Sequence, residues 1–279
     1  MYNNIEYLEK KSAWLRDQVF EMSNSAQQGH PGSVLSEIEI LISLFYGGII
    51  KYEKGNPKSK IRDRVIISKG HAAMGLYPIF ADIGYFSESE LKKYGSKDGM
   101  LRIFSNISIP GIDATSGSLG HGPGIGIGYA IADKLDNIDR KTFVIVSEGE
   151  MYEGSVWESA MFASHNNLDN LILILDRNHK IILGDTEDLV KLEPIEEKWN
   201  SFGFKTISVN GHSHKELLDA YDLIGKTENK PLMIIADTVK GKGISFMEND
   251  PKWHYWQGID ESLLKIARDE LKASIQKYE

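Results

Sequence analysis

The sequence predicts an α/β fold, a parallel β-sheet flanked by helices on both faces. Three observations predict it. Four short apolar runs, at residues 142–147, 170–176, 205–209 and 232–238, read as strands. Helical spacing fills the stretches near 154–166, 193–202 and 213–224 between them. The runs are apolar on both faces, as strands of a parallel sheet covered on both sides must be.

The elements follow in order. Residues 4–29 form a helix, because Ile5, Leu8, Leu15, Val19, Met22 and Ala26 keep three-to-four spacing with one gap at Ser12. Gly29-His30-Pro31-Gly32 stops it. Residues 34–46 form a second, more apolar helix, and 64–68 read as a buried strand entering a tight turn. Ser87 and Glu90 stand at capping-box spacing and open a short helix. Residues 96–118, with Gly99, Pro110, Gly111 and Gly117, are irregular, and a helix at 123–135 follows. Ser213 and Glu216 repeat the capping-box spacing. No repeat, low-complexity stretch or Pro/Ser-rich linker interrupts the chain, so residues 1–279 read as one domain.

Composition excludes several function classes. A chain of 279 residues, 41% hydrophobic and 26% charged, can bury a core and is not disordered. The absence of Cys removes disulfides, thiolate metal sites and a Cys nucleophile. A net charge of −8 without a basic block speaks against nucleic acid and anionic membranes. No apolar run approaches the roughly 18 residues of a membrane helix, and the charged N-terminus lacks the apolar core of a signal peptide. The expectation is a cytoplasmic protein.

Ligands of parallel α/β sheets bind at the carboxyl ends of the strands. The residues there are Lys69-Gly70-His71, Glu148-Gly149-Glu150-Met151-Tyr152-Glu153-Gly154, Arg177-Asn178-His179 and Val239-Lys240-Gly241-Lys242-Gly243. Ser116-Gly117-Ser118-Leu119-Gly120-His121-Gly122 precedes the 123–135 helix. Glycines let backbone N–H groups approach phosphate, and helix N-termini favour anions. Glu148 and Asn178 offer oxygen ligands for a hard cation such as Mg²⁺. A magnesium-bridged diphosphate is the implied ligand. Lys240 and Lys242 are candidates for phosphate contact and equally for solvated loop lysines.

The blocks SAQQGHPGSVLS, RDRVIISKGHAAMGLY, PGIDATSGSLGHG, EGEMYEGSVWESAMFASHNNLDNLILILDRN and TVKGKGISFMEND, in this order, resemble the diphosphate-binding part of the transketolases. The resemblance covers nearly the whole chain and implies thiamine diphosphate and Mg²⁺, or Ca²⁺ or Mn²⁺, as cofactors. The family's Gly-Asp-Gly motif stands as Ser147-Glu148-Gly149, with Asn178 thirty positions after Glu148. The resemblance implies Glu148, Asn178 and the Lys180 carbonyl as metal ligands. It implies His71, Gly117, Ser118, Leu119, Ser147, Glu148, Gly149, Glu150 and Asn178 as cofactor contacts. It makes His30, His71 and His254 the active-site histidines, which orient sugar hydroxyls and move protons. Glu153 and Glu158 match interface carboxylates that link paired active sites.

A full-length transketolase continues with further domains, including a pyrimidine-binding domain whose glutamate activates the cofactor. The resemblance therefore implies the N-terminal subunit of a split transketolase, working with a C-terminal pyrimidine-binding subunit in an α2β2 assembly. Together they would transfer a two-carbon ketol unit from a ketose, phosphorylated or otherwise modified, to an aldose. Four departures mark this sequence: Glu148 for Asp, Ser147 for Gly, residues 100–105 in place of a Gly-His-Pro segment, and His121 for Gln. Glu148 reaches one methylene farther, and Mg²⁺ holds oxygens strictly at about 2.0–2.1 Å. Two other readings stay open at this point. One is a non-catalytic subunit without the cofactor. The other is a thiamine diphosphate enzyme that ligates or decarboxylates 2-oxo acids.

Overall fold

The computed structural model describes residues 4–278. Five strands form one parallel sheet. In chain order they are β1 (Arg64–Ile67), β2 (Thr142–Ser147), β3 (Leu171–Arg177), β6 (Lys205–Asn210) and β7 (Leu232–Asp237), and in space they run β1-β2-β3-β7-β6. A small antiparallel pair, β4 (Lys180–Ile181) and β5 (Gly184–Asp185), follows β3. Register is even across the sheet: Ile67, Ile145, Ile174, Ile234 and Ile207 lie side by side.

The unbroken apolar runs are explained by two cores. Alternate side chains of each strand point to opposite faces. Phe143, Ile145, Ile172, Ile174 and Ile234 belong to the larger core. It also takes α1 (Ile5–Ala26), α3 (Ile38–Tyr46), α4 (Leu76–Asp82) and α9 (His214–Tyr221). Val144, Val146, Leu173, Leu175, Met233 and Ile235 belong to the other, with α5 (Gly122–Leu135), α6 (Gly154–His165) and α8 (Ile195–Ser201). The expected sheet with helices on both faces is observed.

Several expected boundaries change for local reasons. The first helix ends at Ala26, because Gln27 is left-handed at φ 51° and its N–H returns to the Ser23 carbonyl. Its gap at Ser12 is a polar knot: the buried Ser12 hydroxyl meets Nε2 of His214 at 2.9 Å. The expected 34–46 helix is two, α2 (Pro31–Leu35) and α3, separated at Ser36-Glu37. Ser87 caps its segment by accepting from Ser89 N–H, and the segment is a short 3₁₀ turn, Glu88–Lys93. Sequence periodicity did not reveal α4, the β4–β5 hairpin, α7 (Thr186–Leu189) or the C-terminal α10 (Glu261–Gln276).

Candidate functional site

The carboxyl ends of β1, β2, β3 and β7 deliver Lys69, Ser147 to Gly149, Asn178 and Lys240 to one cleft of about 380 Å³. The loop before α5 adds Gly117 and Leu119, and the segment after β7 returns His254 to the same place. A second surface hollow, lined by Tyr7, Lys11, Tyr46 and Asp82, includes none of these residues.

Three imidazoles cluster in it. The ring centres of His30 and His71 are 5.0 Å apart, those of His30 and His254 5.4 Å, and those of His71 and His254 5.1 Å. Each arrives by a different route. His30 precedes α2, whose Pro31 fits the first helical turn. His71 follows β1 in a 3₁₀ turn, Gly70–Gly75, whose first glycine has no room for a Cβ beside the Ser116 carbonyl. His254 ends the short turn Pro251–His254, which packs against Gly32. Burial lowers the pKa of all three, to about 4 for His30, to about 3 for His254 and well below the ordinary value for His71. The Lys240 charge adds to this for His30 and His254. At neutral pH each ring is uncharged and offers one donor and one acceptor. Nδ1 of His254 lies 3.3 Å from Lys240 Nζ, which donates to it.

Two lysines enter the cleft with opposite partners. Lys69 is fully buried, 2.9 Å from Glu37 and 2.5 Å from Asp176. Burial alone would lower its pKa, but the charges of Asp176 and Glu37 outweigh burial and raise it. Burial pushes Glu37 up to about 7, whereas Asp176 stays below its usual range because Lys69, Ser36 and Thr238 overcome burial. Lys240 is also buried, but among the described residues it forms no salt bridge. Burial first, and then the Lys69 charge, lower it to about 8. An unpaired buried ammonium is expensive unless an anion joins it. The N–H groups of Gly117, Ser118 and Leu119 likewise make no hydrogen bond to another described residue.

Glu148 behaves differently from the expected ion ligand. Its side chain is fully buried. Oε1 accepts from Arg177 Nη1 at 2.8 Å and from the Thr186 hydroxyl, and Oε2 accepts from His179 N–H at 2.6 Å. Burial raises its pKa, opposed by Thr186 and Arg177. Asn178 is engaged as well: Oδ1 accepts from Lys180 N–H at 3.2 Å, and the amide nitrogen faces Asp176 and Ser36. Lys180 pairs through Nζ with Asp185. Among the described residues no group of three His, Asp or Glu side chains is placed to hold a metal. With both oxygens of Glu148 and the Asn178 carboxamide engaged within the protein, these two side chains as placed do not fit a divalent ion between them.

The other expected residues separate into two sets. His71, Gly117, Leu119, Ser147, Gly149 and Asn178 line the cleft. Glu150 and Ser118 do not. Glu150 is buried behind it, bonded to Ser68, to Gly120 N–H at 2.9 Å and to Ser147 N–H at 2.7 Å, so its carboxylate joins three loops. Glu153 and Glu158 are exposed at the start of α6 and do not line the cleft. Sequence reasoning missed Ser33, Phe104, Ile181 and Ile182 as lining residues. Phe104 lies in the segment that replaces Gly-His-Pro, with its ring 5.7 Å from His30. Tyr255 stands 4.9 Å from His30, so two aromatic rings flank that histidine.

Comparison with known proteins places the fold in a family. The family described as transketolase, thiamine diphosphate binding domain, matches residues 10–269. One of the subunits of the apulose-4-phosphate transketolase of Phocaeicola vulgatus is 36% identical over 275 residues, which are 99% of this chain and 97% of that one. A 6-deoxy-6-sulfo-D-fructose transketolase subunit of Clostridium sp. strain MSTE9 is 37% identical over 88% of each chain. The crystal structure of the Campylobacter jejuni transketolase superposes with a TM-score of 0.90 at 31% identity. It is matched over 99% of this chain and 46% of its own, so this chain spans less than half of that enzyme.

Proposed function

The chain belongs to the transketolase family, in its thiamine diphosphate-binding domain, and on that premise we propose that it is the cofactor-binding subunit of a two-chain transketolase. The whole of residues 1–279 serves as that one domain. The reaction is transfer of a two-carbon ketol unit from a ketose, phosphorylated or otherwise modified, to an aldose. The observation that carries the reading is the cleft itself: an unpaired buried ammonium at Lys240 beside three neutral histidines.

The cleft residues fit thiamine diphosphate. Lys240 and the unengaged N–H groups of Gly117 and Leu119 meet the diphosphate, and Gly149 leaves space where a Cβ would approach Ile181 at 3.3 Å. When bound, the cofactor supplies an electron sink for breaking and making the bond beside a carbonyl. His30, His71 and His254 hold substrate hydroxyls and exchange protons with them, for which neutral imidazoles are suited. Phe104 and Tyr255 wall the sugar's approach and exclude water. The divalent ion is not carried into this reading, because both oxygens of Glu148 are engaged.

The partner is a C-terminal pyrimidine-binding subunit, which supplies the activating glutamate, in an α2β2 assembly. Support comes from relatives of nearly equal length that are themselves named as transketolase subunits. Glu153 and Glu158, exposed at the start of α6, face that interface. Among the described residues no helix is long and apolar enough to cross a membrane, and the chain has no Cys, both in keeping with a cytoplasmic site. Calorimetric titration of the co-purified two-chain complex with thiamine diphosphate tests the proposal. Saturable binding that Lys240→Met weakens supports it. A complex that binds no thiamine diphosphate overturns it.

A further inference from the structure

We propose that Glu148 is a clamp for the 177–187 turn and not an ion ligand, so that thiamine diphosphate binds this chain without a divalent cation at that carboxylate. The inference rests on the proposed cofactor binding and specifies how the diphosphate charge is met. Three groups converge on the Glu148 carboxylate from one stretch of chain: Arg177, the N–H of His179 and the Thr186 hydroxyl. That stretch contains β4 and β5 and supplies Asn178, Lys180, Ile181 and Ile182 to the cleft.

The turn needs such a clamp. His179 sits in the left-handed region at φ 60°, which costs a non-glycine residue energy. Its N–H is the one donated to Glu148 Oε2. Glu148, one methylene longer than the Asp of the family motif, sets its carboxylate against Arg177, which does not itself line the cleft. The glutamate and the arginine thus explain each other. An ion coordinated by Glu148 would lie within a few ångströms of the Arg177 guanidinium and be repelled by it. Nη2 of Arg177 is directed the other way, to Glu193 at 2.6 Å and Glu187 at 3.3 Å, and neither of these lines the cleft.

The second ligand of the implied ion site is engaged too. Asn178 is tied to Lys180 N–H and turned toward Asp176 and Ser36. That network already holds a buried cation, Lys69, between Asp176 and Glu37. The charge left for a diphosphate is the Lys240 ammonium, with the unengaged N–H groups of Gly117 and Leu119 in residues that line the same cleft.

The test is the cofactor affinity of the two-chain complex, stripped with EDTA, measured by calorimetry with and without added MgCl₂. The expected result is a Kd for thiamine diphosphate that changes less than about threefold between the two. Binding that appears only with Mg²⁺ overturns the inference and leaves the proposed function standing. No binding under either condition overturns both. Glu148→Asp gives a second readout by hydrogen exchange. Faster exchange at 178–186, with affinity still independent of Mg²⁺, supports the clamp. Unchanged exchange together with a new Mg²⁺ dependence contradicts it.

Discussion

Lys240→Met separates the folding role of a buried ammonium from its binding role, because the two effects have opposite signs. The ordinary pKa of 10.5 falls to about 8 in the fold. At about 1.4 kcal/mol for each pKa unit, the charged amine destabilises the ligand-free chain by ~3 kcal/mol at neutral pH. The sign follows from proton binding. The folded state releases its proton near pH 8 and the unfolded state near 10.5, so the cost is complete below pH 8. It fades as pH rises from 8 to 10.5. Methionine of similar length removes the charge and keeps the packing. Thermal unfolding at pH 7 without cofactor should therefore shift upward by roughly 6–12 °C, at about 2–4 °C for each kcal/mol. Binding changes the other way. A charge-assisted hydrogen bond contributes about 1.5–3 kcal/mol, so thiamine diphosphate affinity of the complex should fall roughly 10- to 150-fold. A variant that is less stable, or one that binds the cofactor as tightly as the parent, refutes this reasoning.

Other perturbations test neighbouring parts of the account. Arg177→Leu leaves the Glu148 carboxylate buried without its cation and should lower stability in urea by about 3–5 kcal/mol; a loss below about 1 kcal/mol contradicts the clamp. His214 is buried between the hydroxyls of Ser12 and Ser43, and burial holds it at about 4 against an ordinary 6.5. Its unfolded form takes up the proton first, so stability falls as pH drops from 6.5 toward 4, by up to about 3 kcal/mol. Denaturation curves across that range should be flatter for His214→Gln. In Gly32→Ala the new Cβ meets the Trp253 carbonyl at 2.6 Å and displaces the segment carrying His254. Such a misplacement of a site group should cut kcat of the complex by roughly 10²-fold, and an unchanged kcat would show that His254 is dispensable.

Much of the fold was legible because the sheet is buried on both faces. Strands such as 142–147 and 232–237 carry short apolar runs bounded by polar residues, which read as buried strands. The helix α10 was not legible for the converse reason. Only Ala267 and Leu271 are buried along it, so its apolar stripe is too thin to be seen without the surface it packs on. The break at Ser36-Glu37 was hidden by an apolar run that continues across it. Its cause is long-range: Glu37 pairs with Lys69, and Ser36 bonds Asp176.

The site divides in the same way. His30, His71 and His254 were legible from their motifs, and the fold brings their rings within 5.0–5.4 Å of one another. Glu148 was legible as a carboxylate at the right place. Its engagement by Arg177 was not, since nothing in local spacing says which way a side chain turns. The adjacent signal was present, an Arg immediately before Asn178. Lys240 looked like a loop lysine in a glycine-rich turn, and only the packing of the 251–254 turn beside it shows that it is buried. The segment 100–105 was legible as the replacement of a Gly-His-Pro segment, but the position of Phe104 beside His30 depends on the irregular chain around it.

On the proposed function, this chain holds the cofactor half of a transketolase site and needs a second chain to complete it. The direct measurement is ketol transfer, followed as formation of a new ketose from a labelled acceptor aldose. It is made with the purified chain alone, with its C-terminal partner alone, and with both, each with thiamine diphosphate. The expected result is no transfer by either chain alone and transfer by the mixture. Transfer by this chain alone, or a mixture that binds thiamine diphosphate and still transfers no ketol unit from any ketose offered, contradicts it.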